Sequence, residues 1–224
     1  VKLVCMVKAN AYGTGAVEVA KTLQYHRCDY LAVAVAEEGI ALRNAGISIP
    51  TIVLNSEVNG FEELFSNNLE PEVYNFRILE SFIKEADRRG VTDYPVHIKI
   101  DTGMHRLGFL PEQLPQLVNI LQEQKALKVR SVFSHLSASE SWIFDDFTGH
   151  QIETLKKTAE SIQDALGYRI YKHILNSAGI ERFPEAQWDM VRLGIGLYGV
   201  SASGLPGLKN VCTLKTTILQ IKDI

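Results

Sequence analysis

Along the chain, eight short runs rich in Val, Ile and other apolar residues alternate with segments of helical periodicity. This alternation is the tightest constraint on the fold. A helical crossover returns the chain to the same end of the sheet, so successive strands pair in parallel with right-handed connections. The expected strands cover residues 3–8, 30–36, 51–55, 70–74, 96–101, 131–135, 173–176 and 190–193. Between them, Leu79, Phe82, Ile83 and Ala86 form an apolar stripe that ends at Gly90. Leu114, Val118 and Leu121 form another after Pro111, and Ile152, Leu155, Ala159, Ile162 and Leu166 keep one face over several turns. The last connection is short, with one turn around residues 179–182. Eight strands with crossovers predict an α/β fold of the (β/α)8 TIM-barrel type, with an open doubly wound sheet as the alternative.

A chain of 224 residues has room for such a barrel and little more. Its 46% hydrophobic and 22% charged residues are ordinary for a globular protein, and a net charge of −3 gives no reason to expect nucleic acid or an anionic membrane as partner. The longest unbroken apolar run, residues 31–36, is too short to span a bilayer. No secretory signal is visible, and Cys5, Cys28 and Cys212 form neither a disulfide framework nor a zinc knuckle, which suits a cytoplasmic location. After Gly199 a Ser/Gly/Pro-rich loop follows, and residues 212–224 again read as strand. The expected organisation is a barrel over residues 1–206 and the first strand of a truncated C-terminal β-domain over residues 207–224.

In a barrel of this type, function collects where strands end and loops begin. Lys8 closes the apolar run Leu3-Val4-Cys5-Met6-Val7 and opens Lys8-Ala9-Asn10-Ala11-Tyr12-Gly13-Thr14-Gly15. An ammonium at the tip of a buried strand is costly to desolvate unless it finds a partner or loses its proton, and an unprotonated lysine is a nucleophile towards aldehydes. Other strand ends carry Lys99, Asp101, Arg106, His135, Asn176, Ser177, Arg192, Gly194 and Ile195. Blander readings accompany some of these: Tyr12 as a rim aromatic, Lys99 and Asp101 as a simple ion pair, His135 as a satisfied core histidine, Asn176 and Ser177 as a helix cap. His26, His97, His150 and His173 show no metal-ligand spacing, and no metal site is expected.

Two motifs mislead when taken alone. Asp101-Thr102-Gly103 matches an aspartic-protease triplet, but no second triplet exists to share its proton. Gly194-Ile195-Gly196-Leu197-Tyr198-Gly199 fits the dinucleotide glycine pattern, yet a Ser/Gly/Pro loop follows where a helix is required. A glycine-bearing loop whose amides bind one phosphate is the better reading. A phosphate site and a reactive lysine in one barrel mouth point to pyridoxal 5′-phosphate.

At this point five blocks in order resemble the bacterial alanine racemases. They are residues 7–15 around Lys8, residues 99–108 (Lys-Ile-Asp-Thr-Gly-Met-His-Arg-Leu-Gly), Ser134-His135, Asn176-Ser177-Ala178, and residues 192–199. The resemblance spans essentially the whole chain. It implies that Lys8 is the Schiff-base lysine and one catalytic acid/base, with Arg106 reaching the cofactor's phenolic oxygen and the substrate. It further implies that Tyr12, Ser177 and the amides of Gly194 and Ile195 hold the phosphate, that Arg192 faces the pyridine nitrogen, and that His135 sits beside the ring in contact with Arg192. Asn176 is expected among the cofactor-binding residues too, with Lys99 and Asp101 behind them. Lys99 matches a family lysine that is often carbamylated, and His105 stands where glycine is commonest. The family's second base is a tyrosine from the partner subunit's C-terminal domain. The implied protein is a homodimeric cytoplasmic racemase supplying D-alanine for peptidoglycan. The alternatives are a racemase for serine or another amino acid, a related barrel decarboxylase, or a cofactor-binding barrel inactive on its own.

Overall fold

A computed structural model describes residues 1–204, 206–213 and 215–222. Eight parallel strands lie side by side: β1 (Lys2–Met6), β2 (Tyr30–Val33), β3 (Thr51–Val53), β4 (Glu70–Val73), β5 (Tyr94–Lys99), β6 (Leu127–Phe133), β7 (Tyr171–His173) and β8 (Met190–Leu193). Each of β1 to β6 pairs with the next strand, and β1 also pairs with β8. The remaining seam, between β7 and β8, is bridged by Arg192 N–H donating to Leu175 O at 3.0 Å and Asp189 N–H donating to Lys172 O at 3.3 Å. The result is a nearly closed TIM-type barrel. The first strand is shorter than expected, because the backbone turns away after Met6 and leaves Lys8 outside it. The seventh begins and ends earlier than expected, at Tyr171–His173.

The helices α1 (Ala16–Tyr25), α2 (Ala36–Asn44), α3 (Phe61–Ser66), α4 (Phe76–Arg88), α5 (Leu114–Glu123), α6 (Asp145–Leu166) and α7 (Ser177–Arg182) cover the outside of the sheet. Their starts and stops are chemical. Asn75 caps α4 by accepting the Ile78 N–H at 2.9 Å, and α6 ends at Gly167 with φ 71°.

Strand alternation divides the apolar residues into two sets. Cys5, Leu31, Val53, Val96, Ile98 and Val132 face outward into the main core with Leu79, Phe82, Leu117 and Leu155 of the helices. Each such side chain contributes about 1.5–3 kcal/mol when fully buried. Val4, Met6, Tyr30, Ala32, Ile52 and Met190 face inward and fill part of the barrel lumen. The rest of the lumen is polar: Glu70, Glu72, His97, Lys99, Ser131, His173 and Arg192 are all buried.

The strand expected over residues 212–224 includes Leu214, Asp223 and Ile224, which lie outside the described residues. The described residues of that stretch are exposed and carry no strand pairing, with Ile218, Leu219 and Ile221 among the exposed apolar side chains.

Candidate active site

A cavity of ≈ 500 Å³ opens at the C-terminal ends of the strands. Its wall brings together Lys8, Tyr12, Lys99, Arg106, His135, Asn176, Ser177, Arg192, Gly194 and Ile195. Asp101 stands apart from it. The Asp101 carboxylate organises the following loop instead, accepting the Gly103 N–H at 2.9 Å, the His105 N–H at 3.0 Å and lying 3.1 Å from His105 Nδ1.

Lys8 is aimed by an unusual turn. Ala9, Asn10, Ala11 and Tyr12 follow it with φ of 51°, 52°, 53° and 55°, a left-handed coil built without glycine. Left-handed helical backbone costs roughly 1–2 kcal/mol per L-residue, so neighbours must hold it. Glu38 does much of this. One carboxylate oxygen accepts the Ala9 N–H at 2.6 Å, and the other accepts the Ala34 N–H at 2.7 Å, tying the turn to the end of β2. The Asn10 side chain accepts the Ala16 N–H at 2.9 Å and so fastens the turn to the start of α1. The chain leaves through Gly13 and Gly15, both at positive φ.

The glycine loop after β8 meets Ser177 at the start of α7. The amides of Gly194 and Gly196 both donate to Ser177 Oγ at 3.1 Å. The Tyr12 hydroxyl reaches the same corner: a Cβ on Gly194 would stand 3.1 Å from it. Asn176 is the helix cap, accepting the Gly179 N–H at 2.9 Å and the Ser139 hydroxyl at 2.7 Å. This corner gathers backbone amides and two hydroxyls around Ser177 at the start of α7. Tyr198 takes no part in it. The Tyr198 hydroxyl donates to Met6 O at 2.7 Å, and its ring lies against Tyr12.

Arg192 forms the deep wall. Its Nη2 donates to Ser134 O at 2.6 Å, to Ile174 O at 2.9 Å and to His135 Nδ1 at 3.2 Å. Burial pulls the Arg192 pKa down to about 10. Burial, and then the Arg192 and Lys99 charges, hold His135 down at about 2, so this imidazole is neutral and accepts from the guanidinium.

Lys99 finds a partner, but it is not Asp101. Its amine sits 3.7 Å from Glu72 Oε1 and 4.4 Å from the centre of the Phe133 ring. Burial lowers Lys99 to about 8 and raises Glu72. Glu72, Phe133 and Glu38 are site residues that the sequence reading did not single out. Phe133 shares a strand face with His135, two positions along.

A family model described as the N-terminal domain of alanine racemase matches residues 1–202. The chain is 41% identical to an alanine racemase of Thermodesulfovibrio yellowstonii over 225 aligned residues, covering 100% of the chain and 58% of that protein. It superimposes on an alanine racemase of Clostridium difficile with a TM-score of 0.83 at 34% identity, covering 92% of this chain and 53% of that one. A structure of the Bartonella henselae alanine racemase with covalently bound pyridoxal phosphate matches with a TM-score of 0.80 at 27% identity, covering 94% of this chain and 58% of that one. The chain thus spans little more than half the length of these proteins.

Proposed function

The chain belongs to the alanine racemase family, and from that premise we propose that it is the cofactor-holding barrel of an enzyme that interconverts L- and D-alanine on pyridoxal 5′-phosphate. One observation carries this reading. A lysine amine, a cradle of amide and hydroxyl donors and a buried arginine converge on a single cavity. The fit to the cofactor rests on that donor set. Tyr12, Ser177 and the amides of Gly194 and Ile195 would supply phosphate partners, and a side chain on Gly194 would stand 3.1 Å from the Tyr12 hydroxyl. Arg192 would take the pyridine nitrogen, Arg106 with Lys99 behind it the phenolic oxygen, and His135 the ring edge. When bound, the cofactor holds an amine through its aldehyde and draws electrons from the α-carbon.

The protein's own residues do the rest. Among the described residues the Lys8 amine has no hydrogen-bond or ion-pair partner, so it is available to hold the cofactor. Once substrate displaces it, the same amine takes the α-proton on one face or returns it. Arg192 is donor-only, with a buried positive charge fixed by carbonyls and imidazoles. Such a group donates to a ring nitrogen without giving up its proton, which keeps the ring a weaker electron sink and disfavours side reactions.

Racemisation needs a second base on the opposite face. The Tyr198 hydroxyl is engaged with Met6 O, and on the family resemblance we assign that base to a tyrosine of a partner subunit's C-terminal β-domain, in a cytoplasmic homodimer serving peptidoglycan synthesis. Residues 207–224 would begin that domain. Its exposed Ile218, Leu219 and Ile221 support this, being apolar side chains left for something to cover.

The deciding experiment is chiral analysis of product from L-alanine and L-serine with the full-length protein, alongside α-deuterium washout from each enantiomer. Faster turnover of alanine, with washout from both enantiomers, supports the proposal. Preference for serine would make this a serine racemase, and washout without inversion would leave a cofactor-binding barrel with a single base.

A further inference from the structure

Arg192 is held from beneath by a chain of buried polar groups that the proposed chemistry does not use. Its Nη1 lies 2.8 Å from His173 Nδ1. His173 Nε2 lies 3.0 Å from Ser131 Oγ, and Ser131 Oγ lies 2.7 Å from His97 Nδ1. His97 Nε2 lies 2.8 Å from Glu70 Oε2. The chain crosses the lumen from β8 through β7, β6 and β5 to β4. His97, Ser131 and His173 are fully buried, Arg192 is 5% exposed and Glu70 is 9% exposed.

The direction of every bond follows from the donor inventory. Arginine only donates, so His173 Nδ1 must accept. Burial, and then the Arg192 charge, push the His173 pKa well below the usual histidine range, so this ring is neutral and its proton is on Nε2. That proton goes to Ser131 Oγ. The serine hydroxyl then has its own proton left for His97 Nδ1, which must be bare. His97 therefore carries its proton on Nε2 and donates it to the Glu70 carboxylate. In this arrangement every polar proton of the chain has an acceptor. Protonating His97 on Nδ1 would strand the serine proton in a dry site, which is costly.

We propose that Glu70, His97, Ser131 and His173 form a one-way hydrogen-bond relay through the barrel lumen that fixes the guanidinium of Arg192 and presents it to the cavity. All bonds point from the arginine to the carboxylate, so each polarises the next. With His173 on Nη1 and two carbonyls on Nη2, the guanidinium plane cannot turn. These four are positioning residues. Their consequence for catalysis rests on the proposed racemase reading, whereas the relay itself does not.

The test uses full-length protein labelled with 15N-histidine, read by NMR with and without pyridoxal 5′-phosphate. His97 and His173 should both be neutral, protonated on Nε2 and bare on Nδ1, in either state. A proton on Nδ1 of either ring overturns the relay. In the loaded protein, Ser131→Ala should shift the His173 ring nitrogens and lower kcat about tenfold with KM little changed, at a thermal midpoint close to the parent's. A folded Ser131→Ala protein with parental kcat shows that Arg192 needs no such support. Glu70→Gln keeps an acceptor for His97, so both tautomers should persist in it and kcat should fall less. A ring that flips in Glu70→Gln overturns the assigned direction. Should Ser131→Ala fail to fold, the parent and Glu70→Gln tautomers still decide the question. A parent protein with the expected tautomers that racemises nothing would refute the proposed activity and leave the relay standing.

Discussion

Gly108 is the position where one added methyl group should do most damage. It follows Arg106 and Leu107, at φ +132°, where L side chains are rarely found. A Cβ there would lie 2.4 Å from Asp101 N and 2.6 Å from Ile100 C, both backbone atoms at the end of β5. That backbone cannot yield alone. Asp101 N–H donates to Phe109 O at 2.9 Å and Phe109 N–H donates to Lys99 O at 2.9 Å, pinning the returning loop to the strand. Gly108→Ala must therefore adopt a strained backbone, at about 1–3 kcal/mol, and loosen two hydrogen bonds at about 0.5–1.5 kcal/mol each. The sum is about 2–6 kcal/mol, which for a chain of this size lowers Tm by roughly 4–24 °C. Gly167→Ala is the control. It also has positive φ, at 71°, but nothing lies within 4 Å of its Cβ, so it should cost only about 1 kcal/mol. Thermal melting of both variants, followed by circular dichroism, compares them. Equal shifts, or a Gly108→Ala protein that melts with the parent, would refute the close-approach argument. Because Arg106 rides on this loop, the folded fraction of Gly108→Ala should also be slow in turnover.

Ser177→Ala removes the hydroxyl shared by two glycine amides, so pyridoxal 5′-phosphate should dissociate more readily, by about 5- to 100-fold in Kd by equilibrium dialysis. Unchanged retention would place the phosphate elsewhere. Glu38→Gln offers a single oxygen to two N–H donors, leaving one unsatisfied at about 1–3 kcal/mol, so the turn after Lys8 should loosen and hydroxylamine should remove the cofactor faster. Parental resistance to hydroxylamine would show that the turn holds without this carboxylate. Cys28 lies 3.3 Å from Cys5, whose hydrogen bond lowers Cys28 to about 7 while the Cys5 thiol is pushed up. Iodoacetamide should therefore alkylate Cys28 increasingly as pH rises through neutrality and spare Cys5, by peptide mapping. A Cys28 that reacts only well above neutral pH would contradict the thiol pairing.

Much of the fold was legible because apolar runs and helical stripes alternate, and each strand was anticipated to within a few residues. The site was legible where it sat at strand ends in short blocks. What escaped shows why. The inward face of each strand recurs at every second residue, so Lys8 continues the series Val4, Met6, and Lys99 and Arg192 continue from His97 and Met190. Read that way, Glu70 with Glu72, and Ser131 with Phe133 and His135, announce a polar lumen. Reading His97 and His173 only for metal-ligand spacing hid their common face. The left-handed turn had no such signal. Ala9, Ala11 and Tyr12 do not favour it, and the carboxylate that holds it comes from Glu38, 29 positions after Ala9 in the chain. The partner of Lys99 was missed for a similar reason, since Asp101 is near in sequence while Glu72 is near in space.

Borohydride reduction of the full-length protein loaded with pyridoxal 5′-phosphate, followed by peptide mass mapping, decides whether Lys8 holds the cofactor. One pyridoxyl group should appear, on Lys8 in the peptide that carries Ala9 to Tyr12. A label on Lys99 or on any other lysine, or none on a folded and loaded protein, would contradict it.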